Sequence, residues 1–150
     1  MSTTTYVVHR KSLWDAYSRH GYFFREAAML TIGMGVALHL YRVIFGDDLA
    51  VKYAITLTTD KILLVPMTYA AITGILVWRR VRFANKPHRA LVTASVFYIA
   101  ASVPLHIYFN LVVGDVATFF TWFPMWFSYF LLIVLYPAFL TMFLRLRYKN

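Results

Sequence analysis

Four long apolar stretches restrict what this chain can fold into. They cover residues 23–45, 57–78, 90–113 and 117–144. A helix needs about 20 mostly apolar residues to cross a hydrocarbon core of about 30 Å. Because the apolar runs are continuous rather than alternating, they disfavour the strands of a membrane barrel. The sequence therefore predicts an all-α integral membrane protein, a transmembrane bundle of four helices.

The composition agrees with a lipid bilayer as the surrounding medium. Hydrophobic residues make up 61% of the chain and charged residues 14%, whereas soluble domains carry about 25% charged residues. The chain contains no cysteine, which excludes disulfides and cysteine-ligated iron–sulfur clusters. The formal net charge is +9, but no basic stretch is long enough to form a soluble binding face, so no nucleic-acid partner is expected.

The distribution of basic residues predicts the orientation. Counted from the N-terminus, the five segments outside or at the edges of the spans hold 4, 2, 5, 0 and 3 lysines and arginines. Cytoplasmic loops of membrane proteins carry the excess of positive charge. We therefore expect both termini and the loop 79–89 to be cytoplasmic, with residues 1–22 an N-terminal cytoplasmic or interfacial segment and residues 145–150 a basic cytoplasmic tail. The predicted location is the bacterial cytoplasmic membrane, with multiple passes.

Polar side chains inside the spans are the candidates for function, because such groups are costly in lipid. They are Arg25, Glu26, His39, Arg42, Asp60, Lys61, His106 and Asn110. His39 precedes the end of the first stretch by six residues, and His106 precedes the end of the third by seven. At about 1.5 Å rise per residue, the two imidazoles are predicted to lie at nearly equal depth.

Two histidines at one depth on parallel helices are typical of axial ligands to a haem iron. In this hypothesis His39 and His106 bind the iron of a haem b, Gly35 gives space for the porphyrin, and Arg42 meets a propionate. The alternatives are two structural histidines, or a proton-relay or quinone site. For Asp60 the alternatives are a proton or cation site, a pair with the adjacent Lys61 at the membrane edge, and an ion pair with Arg42.

Three classes of function remain open. Since no catalytic constellation is visible, the first is a non-catalytic anchor or accessory subunit of a larger respiratory, transport or biosynthetic membrane complex. Its partners would be other membrane subunits or further copies of this chain. The second is an electron carrier similar to b-type cytochromes. The third is a membrane enzyme or a carrier for a lipophilic substrate, such as a quinone.

Overall fold

The structure is a computed structural model that describes residues 17–149. Within these residues, four helices are long and apolar enough to cross a membrane, as the sequence predicts. We refer to them as span 1 (Arg19–Phe45), span 2 (Leu57–Arg80), span 3 (Lys86–Val113) and span 4 (Met125–Leu144). Most of the predicted N-terminal segment, residues 1–16, lies outside the described residues, as does Asn150.

The secondary structure is mainly α-helical, with short 3₁₀ and π segments at the ends or in the middle of spans. Spans 1 and 3 each contain two helical segments, and span 4 contains three. The α-helices are Phe24–Phe45, Asp47–Tyr53, Leu57–Arg80, Lys86–Tyr108, Ala117–Trp122, Met125–Phe130 and Tyr136–Leu144. Arg19–Phe23 is a 3₁₀-helix, and Phe109–Val113 and Leu131–Leu135 are π-helices. Two short strands, β1 (Val81–Arg82) and β2 (Arg147–Tyr148), complete the described elements.

Local sequence signals explain where the first three spans begin and end. Gly46 follows span 1 with a φ of 83°, a left-handed conformation that glycine adopts without steric cost. Thr56 and Thr59 form a reciprocal capping box at the start of span 2. Asn85 caps span 3 by accepting from the backbone N–H of His88. Pro66 and Pro104 lie inside spans 2 and 3 without ending them.

Span 4 differs from its predicted bounds of 117–144. The helix Ala117–Trp122 is separated from the helix Met125–Phe130, and Pro124 lies at the break. Proline has no N–H to donate, so a regular helix cannot continue unchanged through it. A second proline, Pro137, follows the π-helical turn Leu131–Leu135, and such widened turns are a common response to a proline inside a helix.

The four spans form a ring around a common interior. Each span packs against the next one along the chain, and span 4 closes the ring against span 1. Spans 1 and 3 therefore face each other across one diagonal. Close packing fills the interior at the end of the bundle where span 1 begins. Phe24 contacts Phe143 edge to face there, and Gly74 packs closely against Val96.

The outward surface of the spans is strongly apolar. Val65, Ile75, Phe97, Leu111 and Ile133 are each at least 69% exposed. A soluble monomer rarely exposes apolar side chains on this scale. These faces are compatible with a multi-pass protein that is surrounded by lipid.

The predicted C-terminal tail is in part ordered as a strand. β1 and β2 pair in antiparallel orientation, with Val81 opposite Tyr148 and Arg82 opposite Arg147. This two-stranded sheet joins the loop after span 2 to the segment after span 4. We call this end of the bundle the basic end; here spans 1 and 3 begin and spans 2 and 4 end.

The orientation in the membrane remains a prediction. Reporter fusions placed after Lys86 and after Asn150 are expected to show a cytoplasmic location, and a fusion near Asp115 the opposite side. The reason is the excess of basic residues in the loops at the basic end. A fusion after Lys86 that reports the outside would reverse the predicted topology.

Candidate functional site

A cavity of about 250 Å³ lies in the interior between the four spans, away from the basic end. Its wall is mainly apolar, with side chains such as Leu63, Ile99 and Leu105. Aromatic rings line the cavity at the far end: Phe109 from the π-helix, Phe119 from the helix Ala117–Trp122, and Phe123 from the break after it. The polar side chains of the wall are Thr31, His39, Asp60, Tyr98, Ser102, His106 and Tyr136. The structure thus brings His39 and His106, from diagonally opposed spans, to one cavity.

His106 belongs to a polar cluster with two other predicted residues. Its Nδ1 forms a very short contact with Asp60 Oδ1, and the other carboxylate oxygen of Asp60 accepts from the amide of Asn110. Asp60 is buried, with 5% of its surface exposed. A carboxylate can only accept hydrogen bonds, so an ionised Asp60 holds the ring proton of His106 on Nδ1. The second ring nitrogen, Nε2, forms no hydrogen bond with any described residue.

His39 is held by a different set of groups. Its Nδ1 lies 2.9 Å from the hydroxyl of Ser128 in span 4. The same hydroxyl accepts a hydrogen bond of 3.0 Å from the guanidinium of Arg42. Since Arg42 has no acceptor atom, the hydroxyl of Ser128 keeps its own proton, which it can donate to His39. Nε2 of His39, like that of His106, has no hydrogen-bond partner in the described part of the chain.

Arg42 does not line the cavity, contrary to the role in propionate binding that we predicted. Its side chain is fully buried and forms an ion pair with Asp47, with 2.6 Å between Nε and Oδ1. It also donates to the backbone carbonyl of Phe123 at 2.8 Å. That carbonyl lies at the break just before span 4, where the N–H of Phe127 donates to the carbonyl of Pro124 instead. Arg42 therefore satisfies an acceptor that the broken helix leaves without a donor.

The predicted pairing of Arg42 with Asp60 is likewise wrong. Each residue has another partner: Arg42 pairs with Asp47, and Asp60 with His106 and Asn110. The reason is local. Asp47 is five residues from Arg42, directly after the turn at Gly46, and its carboxylate reaches the guanidinium without a contact between spans.

Gly35 lines the cavity, but the space beside it is occupied. A methyl group added at Gly35 would lie 2.8 Å from the hydroxyl oxygen of Tyr136. That hydroxyl is also 3.0 Å from the hydroxyl of Tyr98. Because Gly35 has no side chain, Tyr136 can occupy the space beside it. We had predicted that a porphyrin would occupy this space.

Two predicted residues lie elsewhere. Glu26 forms an exposed ion pair with the adjacent Arg25 near the basic end, and Lys61 is exposed on span 2. Among residues 17–149, no group of three or more histidines, aspartates and glutamates is arranged to hold a metal ion.

Sequence reasoning did not identify Ser128, Tyr98 or Tyr136. Each carries a hydroxyl group within a span, and this is the only sequence feature that could have marked it as a site residue. The chain has 11 tyrosines, and no spacing pattern distinguishes the two that meet in the interior.

Comparison of the chain with protein-family models, with curated proteins and with solved structures finds no match. The functional argument therefore rests on the geometry of the cavity.

Proposed function

We propose that this protein binds one small lipophilic molecule with an oxygen-containing polar group, as a carrier or as a membrane enzyme. The observation that supports this proposal is the apolar cavity with two imidazoles in its wall, each with one nitrogen left for a ligand. Largely apolar pockets with a few convergent polar groups are the usual form of small-molecule sites.

The size of the cavity limits the ligand. An engineered protein cavity of about 150 Å³ holds a benzene molecule, so 250 Å³ suits one substituted ring or a fused pair of rings. Typical pockets for larger ligands measure about 300–1,000 Å³. A longer lipid would therefore place only its head in the cavity, with its tail between the spans.

The two histidines offer complementary groups to such a head. With its proton held on Nδ1 by Asp60, neutral His106 has an acceptor at Nε2. If Ser128 donates to Nδ1 of His39, neutral His39 carries its proton on Nε2 and is a donor. A hydroxyl group, which both donates and accepts, satisfies both requirements. A base oriented by a carboxylate is also the arrangement that proton transfer requires, and this makes His106 the residue we would test first for catalysis.

The cavity can be tested with 1-naphthol as the probe and 1-methylnaphthalene, its isostere without a hydroxyl group, as the ligand control. Both are equilibrated with protein-loaded and with empty nanodiscs, so that partitioning into lipid is subtracted. We expect 1-naphthol to bind about fivefold more tightly, which corresponds to about 1 kcal/mol for one net hydrogen bond. In His106→Phe this difference should become smaller, because only the hydrogen bond from His39 remains.

A pair of tryptophan variants on span 3 tests the location. Leu105 lines the cavity, whereas Ile107 is 41% exposed on the outside and does not. Leu105→Trp should fill the cavity and abolish binding, and Ile107→Trp should bind as the unmodified protein does. Equal binding by the two variants would show that the probe sits elsewhere and would refute the proposed site.

Haem b is the second candidate, because His39 and His106 border the same cavity from opposite spans. Each histidine keeps Nε2 without a hydrogen bond to any described residue, as an axial ligand requires. The macrocycle fits less well, since Tyr136 occupies the space at Gly35 and Arg42 is engaged with Asp47. A visible spectrum decides: a Soret band with sharp α and β bands after reduction supports haem, and a colourless protein supports the proposal above.

The predicted role as a non-catalytic subunit of a larger complex remains a prediction. Trp122 and Trp126 are 55% and 64% exposed, at the end of the bundle remote from the basic end. Such rings suit the headgroup layer as well as a neighbouring protein. Co-purification of further membrane chains under mild detergent is the measurement that addresses this role.

A further inference from the structure

The inner face of the small sheet at the basic end is fixed by packing. Val81 is 1% exposed, and the neighbouring Leu146 is 2% exposed. The hydroxyl of Tyr148 accepts a hydrogen bond of 3.0 Å from the backbone N–H of Arg25. Its ring meets the ring of Tyr22 edge-on. Burial raises the pKa of Tyr148 to about 12, so the phenol stays neutral near pH 7.

Because the inner face is fixed, the register of the strands is fixed as well. Side chains alternate between the two faces of a strand, and a slip by one residue would expose Val81 and Tyr148. Arg82 and Arg147 are therefore held directly opposite each other on the outer face. Like charges directly opposite in an antiparallel pair are destabilising.

No described residue compensates for this repulsion. Arg82 and Arg147 are both exposed, and their side chains form no ion pair or hydrogen bond with described residues. Across residues 17–149, the basic end contains one acidic residue, Glu26, which is paired with Arg25. Its basic residues are Arg19, Arg25, Arg79, Arg80, Arg82, Lys86, Arg89, Arg145, Arg147 and Lys149.

We propose that Arg82 and Arg147 together bind a phosphate group, that of an anionic lipid headgroup. Two guanidinium groups on adjacent strands can each donate two parallel hydrogen bonds to phosphate oxygens. β1 directly follows the last residue of span 2, and β2 begins three residues after the end of span 4. This places the pair at the level where headgroups surround the ends of transmembrane helices. The bound anion replaces the repulsion between the two side chains with attraction to a shared partner.

The test uses the full-length protein in phosphatidylcholine nanodiscs to which phosphatidylglycerol is added in increasing amounts. The melting temperature is followed at each composition and gives an apparent affinity. We expect Arg82→Gln and Arg147→Gln each to weaken that affinity about tenfold or more, because charge-assisted hydrogen bonds are lost. In pure phosphatidylcholine the same variants should melt at a higher temperature than the unmodified protein, since the repulsion is removed.

Arg145→Gln is the matched control, because Arg145 is also exposed at the basic end but lies outside the strand pair. It should change the affinity only slightly. Arg82→Lys keeps the charge without the planar fork and should give an intermediate loss. If Arg145→Gln weakens binding as much as Arg82→Gln does, the lipid is held by diffuse charge and the proposal is wrong.

A parallel titration with inorganic phosphate in pure phosphatidylcholine separates the two sources of the group. Little stabilisation at millimolar phosphate is expected, which supports the lipid headgroup. Full stabilisation by phosphate alone would overturn the lipid assignment. None of these readouts depends on the interior cavity, so this proposal and the proposed function succeed or fail independently.

Discussion

Replacing Arg42 with leucine is expected to lower the free energy of unfolding by about 2–4 kcal/mol, because the partners of a fully buried guanidinium lose their donor and each group left unsatisfied costs about 1–3 kcal/mol. Asp47 contributes least to this loss, since its side chain is 44% exposed and water can replace the guanidinium. Arg42 has no exposed surface and contacts three groups: Asp47, the carbonyl of Phe123 and the hydroxyl of Ser128. Its guanidinium also lies 4.0 Å from the ring centre of Phe120. Without it, the partly buried carbonyl of Phe123 at the break before span 4 loses its donor.

Arg25→Leu is the control for this experiment. Arg25 lies in the same span and also pairs with an acid, but its side chain is 38% exposed and that of Glu26 is 51% exposed. Surface ion pairs contribute about 0–1 kcal/mol. Denaturant titration in micelles, followed by tryptophan fluorescence, compares the two variants. Equal losses would mean that burial of Arg42 has no energetic consequence, contrary to our interpretation.

Replacing Asp60 with alanine is expected to cost about 2–4 kcal/mol. The change leaves two partly buried N–H groups without an acceptor, Nδ1 of His106 and one N–H of the Asn110 amide, and each such donor costs about 1–3 kcal/mol. The Asn110 amide also donates to the backbone carbonyl of His106, and this bond does not involve Asp60. The same variant should show a smaller preference for 1-naphthol over 1-methylnaphthalene, because His106 is no longer held in one tautomer.

A double-mutant cycle isolates the contact between Asp60 and His106. The loss for Asp60→Ala combined with His106→Phe should be smaller than the sum of the two single losses, because residues in contact couple by about 0.5–3 kcal/mol. Asp48→Ala, at an exposed position, should change stability by less than about 0.5 kcal/mol. Strict additivity in the cycle would argue against the contact.

Hydropathy predicted the four spans because length and apolar content alone decide whether a helix can cross a membrane. The depth argument also selected His39 and His106, which border one cavity. The break in span 4 was not predicted, although Pro124 is visible in the sequence. Pro66 and Pro104 are equally visible and do not interrupt their helices, so proline alone does not determine where a membrane helix ends.

The partners of the polar residues could not be predicted for a different reason. The spans are apolar on nearly all sides, so periodicity does not show which face of a helix points inward. Asp60 could therefore face either neighbouring span. Its contact with His106 depends on how span 2 is rotated about its own axis relative to span 3. Packing determines this rotation, and the composition of the spans does not reveal it.

The ion pair of Arg42 with Asp47 has a consequence for how the protein is made. Its two members are five residues apart, so they can meet while span 1 is still the only completed helix, whereas Phe123 and Ser128 are synthesised some eighty residues later. A charged side chain that is paired with a residue nearby in the sequence costs less free energy to place near a bilayer than one that stays unpaired until a distant residue is made. The growing chain can therefore neutralise Arg42 within span 1 and the turn that follows it, and the contacts of Arg42 with Phe123 and Ser128 can form only after span 4 has been synthesised.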